Sequence, residues 1–186
     1  MDAFEQIIGQ LLEEEKYWIR HSVKIELTKN EKRDIGTPCT PRPEIDIVAL
    51  DQSSNALYLL EVKSFLDSSG VVFEQVTENQ EQQKGRYKLL TSENYRKVIS
   101  ARLLEDWIKI GTITKDTKVN FGLIAGKVHN DKKNPNRETD LRNYFLTPIP
   151  QFIKRTLFLM KRAMKESRPD SRLGTLMIVM ILKNWT

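Results

Sequence analysis

The chain has 186 residues, 39% hydrophobic and 30% charged, with a net charge of +5. That length supports one domain with a buried core, and that composition belongs to a globular chain rather than a disordered one. One cysteine, Cys39, excludes an internal disulfide, and two distant histidines, His21 and His129, with no Cys-x-x-Cys pair, argue against a structural zinc site.

In chain order, Phe4, Ile7, Ile8, Leu11 and Leu12 repeat at helical spacing and predict an amphipathic helix over 2–15. "SVKIELT", 22–28, alternates and predicts a strand. "NEKRDIGTPCTPRP", 30–43, is polar with three prolines and reads as a loop. Two strands, 44–51 and 56–64, flank "QSSN", and "DSSG", 67–70, is turn chemistry. Residues 74–90 read as helical, with Gly85 a weak point. Ser92 caps a helix to Ile110, stopped by Gly111, with a stripe of Tyr95, Val98, Ile99, Leu103, Trp107 and Ile110. "VNFGLIAG", 119–126, reads as a buried strand, and 127–138 as a basic loop. A basic amphipathic helix over 149–166 and a strand over 175–183 complete the chain. This order predicts a single α/β domain over 1–186, a mixed sheet flanked by helices. The acidic start "MDAFEQII" is unlike a signal peptide, and the longest apolar run, Leu176 to Leu182, is too short to span a bilayer. Together with the single cysteine, this points to a cytoplasmic protein away from membranes.

Charge is unevenly spread. Residues 1–83 hold 8 Lys+Arg against 16 Asp+Glu, a net of −8, whereas 84–186 hold 22 against 9, a net of +13. An acidic half beside a basic half suits a cation site next to a polyanion-binding face, although solvated helix faces give the same asymmetry. Lys132, Lys133 and Arg137 in the basic loop are candidate phosphate contacts.

The charged hairpin is the most informative segment. With its turn centred between Ser53 and Ser54, Asp46 falls opposite Glu61 and Glu44 opposite Lys63. Alternation then puts Asp46, Glu61 and Lys63 on one face with Val48, Leu50, Leu57 and Leu59, and Ile45, Ile47 and Ala49 on the other. Opposed carboxylates repel, and a divalent cation between them removes that cost. An ordinary ion cluster, with Lys63 bridging Glu44 or Glu61, accounts for the same charges and fits the pattern alone slightly better.

"PEID" followed by "LEVKS" resembles the active-site signature of the restriction-endonuclease-like, PD-(D/E)XK, nuclease superfamily. The likeness covers about 2–126 and leaves 127–186 as a C-terminal extension. It implies a core of helix, three strands, helix and strand. It also implies that Asp46 and Glu61 bind Mg²⁺ or Mn²⁺, that Lys63 assists the attacking water, and that Glu5 on the first helix supports the site. Here Glu44, not Asp, follows Pro43, so Glu44 stands as an alternative to Asp46. "QKGRY" is similar to a Gln-x-x-x-Tyr element of some exonuclease-type members and makes Gln83 and Tyr87 accessory candidates; a polar helix surface with one aromatic explains it better. The resemblance thus implies a Mg²⁺-dependent nuclease acting on DNA, most simply an endonuclease. The alternative is a catalytically inactive nucleic-acid-binding module of the same fold. The apolar final strand is compatible with a homodimer. No Ser-His-Asp set, phosphate-cradling glycine loop or dinucleotide fingerprint is present.

Overall fold

The apolar repeat near the N-terminus does form a helix, α1, Ala3–Glu14, in a computed structural model of the chain. The structure describes residues 3–36, 42–65, 68–77, 86–129, 135–137 and 140, and the backbone of 179–184. After α1 come β1 (Trp18–Lys24), α2 (Lys29–Asp34), β2 (Glu44–Asp51), β3 (Ala56–Lys63), α3 (Phe73–Thr77), α4 (Lys88–Thr91), α5 (Glu93–Lys109), β4 (Lys118–Ala125) and β5 (Val179–Asn184). The fold is mixed α/β. One five-stranded sheet has the order β1-β2-β3-β4-β5, parallel only between β3 and β4. The expected helix over 149–166 lies outside the described residues. The final strand pairs antiparallel with β4 of its own chain.

Central strands are covered on both faces, as their near-continuous apolar runs require. On one face Val48, Leu50, Leu57 and Leu59 pack with Ile99, Leu103 and Trp107 of α5. On the other, Ile47, Ala49, Leu60 and Val62 pack with Phe4, Ile8 and Leu12 of α1. Ile110 departs from the expected stripe. It follows the last residue of α5 as its C-cap and is 68% exposed.

Three expectations need correction. Residues 30–43 are not wholly loop, because Thr28 and Glu31 form a capping box that starts α2: Glu31 N donates to Thr28 Oγ1 at 3.2 Å, and Thr28 N donates to Glu31 Oε2 at 2.6 Å. The first strand begins four residues earlier than expected and ends at Lys24. The alternating Val23, Ile25 and Leu27 do face one core, but Ile25 N bonds Pro43 O at 2.8 Å beyond the end of β1. The expected helix over 74–90 appears as α3 and α4, with 78–85 between them outside the described residues.

A kink explains where the face assignment fails. Pairing of β1 with β2 passes from His21↔Ile47 to Val23↔Ile45, stepping over Ser22 opposite Asp46. Ser22 has φ +49, a left-handed conformation uncommon for a residue with a side chain. Across this step the chain changes face. Ile47 packs under α1, whereas Ile45 packs with Val48 and Leu50 in the opposite core, contrary to strict alternation. The irregularity therefore sits at Asp46, one of the candidate site residues.

The α1 side depends on a close approach. A Cβ on Gly9 would stand 2.3 Å from His21 Cε1 and 2.4 Å from Nε2. Gly9→Ala is expected to destabilise the fold by about 1–3 kcal/mol, the usual cost of overpacking. Urea denaturation measures it, and Gly9→Ala combined with His21→Ala is expected to recover part of the loss. Full stability of the single variant would mean that the His21 ring swings clear at no cost.

Candidate functional site

The hairpin fixes the site's geometry. Its register runs from Asp51↔Ala56 at the turn to Ile47↔Leu60, the spacing expected from "QSSN". Asp51 holds that turn by accepting from Ser53 N at 2.9 Å and from the Ser53 and Ser54 hydroxyls. One step past Leu60 stand Asp46 and Glu61. Asp46 Oδ2 accepts from Val62 N at 2.7 Å, so the carboxylate reaches across to the backbone of β3. Asp46 stands opposite Ser22, at the step in the β1–β2 pairing.

Lys63 closes the group. Its Nζ lies 2.9 Å from Asp46 Oδ2 and 2.9 Å from Glu61 Oε1. The side chains of Asp46, Glu61 and Lys63 are 18%, 19% and 29% exposed. Of the two partners sequence offered for Lys63, Glu61 is engaged, Glu44 is not, and Asp46 is added. Glu44 is exposed at the start of β2.

The charges are unequal. Burial pushes the Glu61 carboxyl above its ordinary value; Lys63 opposes this and the Asp46 charge adds to it. Burial alone would pull Lys63 down, but Glu61 and Asp46 outweigh it and hold the ammonium above its ordinary value. Lys63 is thus a fixed cation. Two acids and one base leave one uncompensated negative charge, which adds to the effect of burial on Glu61 and favours the charged form of Lys63.

Other groups converge beside Glu61. Tyr87, 2% exposed in the turn before α4, has its phenol raised by burial and then by the Glu61 charge. Tyr95, in the first turn of α5, is pushed up to about 12 by burial and then by Glu61. A cavity of about 160 Å³ opens here, with Glu44, Glu61, Arg86, Lys88 and Tyr95 among its lining. Sequence reading assigned Tyr95 to the core and passed over Arg86 and Lys88. The basic pair flanking Tyr87 in "GRYK" was the available signal.

The remaining candidates are placed as follows. Glu5 is half-buried on α1, whose buried residues pack on the face opposite the one that Glu61's neighbours Leu57 and Leu59 share. Gln83, Lys132 and Lys133 lie outside the described residues. Arg137 is engaged within the fold: it pairs with Glu74, lies 3.7 Å from Asp140, and covers the Phe73 ring at 4.7 Å.

Among the described residues no three His, Cys, Asp or Glu side chains form a ready metal cage. Asp46 and Glu61 are nevertheless hard oxygen donors that already converge on one cation, the Lys63 ammonium. That donor set fits Mg²⁺, which binds through one or two carboxylates and keeps several waters. Among the described residues no helix is long and apolar enough to cross a membrane. No protein-family model, curated protein or solved structure matches this chain.

Proposed function

We propose that this chain is a Mg²⁺-dependent nuclease that hydrolyses DNA phosphodiester bonds, with a restriction-endonuclease-like core. The observation that carries this reading is the meeting of Asp46, Glu61 and Lys63 at the end of a buried hairpin, beside an open cavity. Asp46 and Glu61 would hold the cation. When bound, Mg²⁺ supplies Lewis-acid stabilisation of phosphoryl oxygen charge and lowers the pKa of a coordinated water. Lys63, kept protonated by its two carboxylates, donates hydrogen bonds to the attacking water or to the developing negative charge. Val62 N fixes the Asp46 carboxylate. The basic second half of the chain would contact the phosphate backbone.

One observation favours the second reading, an inactive nucleic-acid-binding module. The Lys63 ammonium pairs with both carboxylates, as it would in a plain ion cluster. Incubation of circular and linear DNA with Mg²⁺ or Mn²⁺ separates the two. The nuclease reading expects cleavage that EDTA abolishes. Salt-dependent binding with no cleavage in either metal would favour the second reading and sink the first.

A further inference from the structure

The cavity beside Glu61 is lined by charges of both signs. Glu44 and Glu61 come from the hairpin, while Arg86 and Lys88 come from the turn and start of α4, and Tyr95 contributes from α5. Glu61 is already bonded to Lys63. Arg86 is exposed and Lys88 half-buried, with its Nζ 6.0 Å from the centre of the Tyr95 ring. Among the described residues no carboxylate lies within ion-pair distance of Arg86 or Lys88. By contrast, Arg102 and Arg137 are each held by two acids. Two cations facing one cavity without a protein counter-ion suit an external anion. A volume of about 160 Å³ leaves room for a tetrahedral anion with part of its hydration.

We propose that Arg86, Lys88 and the Tyr95 hydroxyl form a phosphate subsite, which seats a phosphate group of the nucleic-acid strand adjacent to the one that reacts. This deepens the nuclease reading and rests on it. The guanidinium of Arg86 supplies a planar fork that matches two phosphate oxygens, and Lys88 supplies a point charge. The subsite sets where the strand lies relative to Asp46, Glu61 and Lys63. Glu44 and Glu61 line the same cavity and repel an anion, so its binding depends on Arg86 and Lys88.

Binding in EDTA tests this without depending on cleavage. The probes are a 5′-phosphorylated linear duplex, the same duplex without terminal phosphates, and a covalently closed circle. Arg86→Ala with Lys88→Ala is expected to weaken binding about tenfold and to lower the slope of log K against log salt by about 1–2. Arg86→Glu, at an exposed position, serves as a second variant should the double substitution unfold, and is expected to weaken binding further. Equal losses on circle and duplex assign an internal phosphate. A loss confined to the 5′-phosphorylated duplex assigns a terminal one. Unchanged affinity and salt slope in both variants would overturn the subsite while leaving any cleavage activity in place. If wild type binds DNA and the variants lose affinity and slope as expected but wild type never cleaves, the nuclease reading fails and Arg86 and Lys88 stand only as a phosphate contact of a binding module. If wild type does not bind DNA, the subsite falls.

Discussion

Lys63→Ala is expected to lower single-turnover DNA cleavage at saturating Mg²⁺ by about 10²–10⁴-fold, the range for losing one positioned proton donor or charge. Its ammonium touches both carboxylates at 2.9 Å and is held above its ordinary pKa, so at neutral pH it acts as a cation and donor. Lys63→Arg keeps the charge but spreads it over a planar fork, so partial activity is expected.

The same substitution separates a catalytic lysine from an inert one. Removing the ammonium leaves Asp46 and Glu61 facing each other uncompensated, which is expected to cost about 1–3 kcal/mol of metal-free stability. Their convergence then favours any added cation. Calorimetry is therefore expected to show tighter Mg²⁺ binding in Lys63→Ala while cleavage falls. Cleavage equal to wild type, at unchanged fold, would remove Lys63 from the mechanism. Mg²⁺ affinity that stays the same would mean that the ammonium does not compete for the metal position.

Much of the fold was readable because burial leaves a periodic trace. The apolar repeat around Ile8 and Leu12 marked α1, and "QSSN" set a hairpin register that the Ile47↔Leu60 pair follows. The meeting of Asp46 with Lys63 and Glu61 was legible from that register, yet its geometry was not. Alternation assumes that each strand keeps its faces, and the left-handed Ser22 breaks that assumption where Asp46 sits. Nothing in a Ser flanked by His21 and Val23 signals a positive φ. Tyr95 illustrates a second limit. Helical spacing correctly placed it toward the core, but spacing does not say which distant carboxylate its phenol meets. The capping box of α2 is different, since Thr28 and Glu31 stand at the diagnostic spacing and were readable.

Glu61→Gln is expected to exchange function for stability. In metal-free protein the Glu61 carboxyl has a folded-state pKa raised above 4.5, mainly through burial. A group raised in this way contributes stability that is present below its unfolded pKa and lost as pH rises through the folded value. Ionised Glu61 is thus a cost at neutral pH. Lys63 is raised as well, from 10.5, so its contribution is present below that pH and constant between 5 and 9. Glu61→Gln removes the uncompensated charge and leaves Lys63 paired with Asp46 at 2.9 Å. In EDTA at pH 7 the variant is expected to gain about 1 kcal/mol, or about 2–4 °C in Tm for a chain of this size. The gain is expected to shrink toward pH 4, where wild-type Glu61 is protonated. Mg²⁺ is expected to raise the Tm of wild type and not of the variant, because a neutral amide is a poor ligand for a hard cation. Thermal melts across pH, with and without Mg²⁺, read both effects. A variant less stable than wild type at pH 7 would show that the Glu61–Lys63 pair outweighs the burial of the charge.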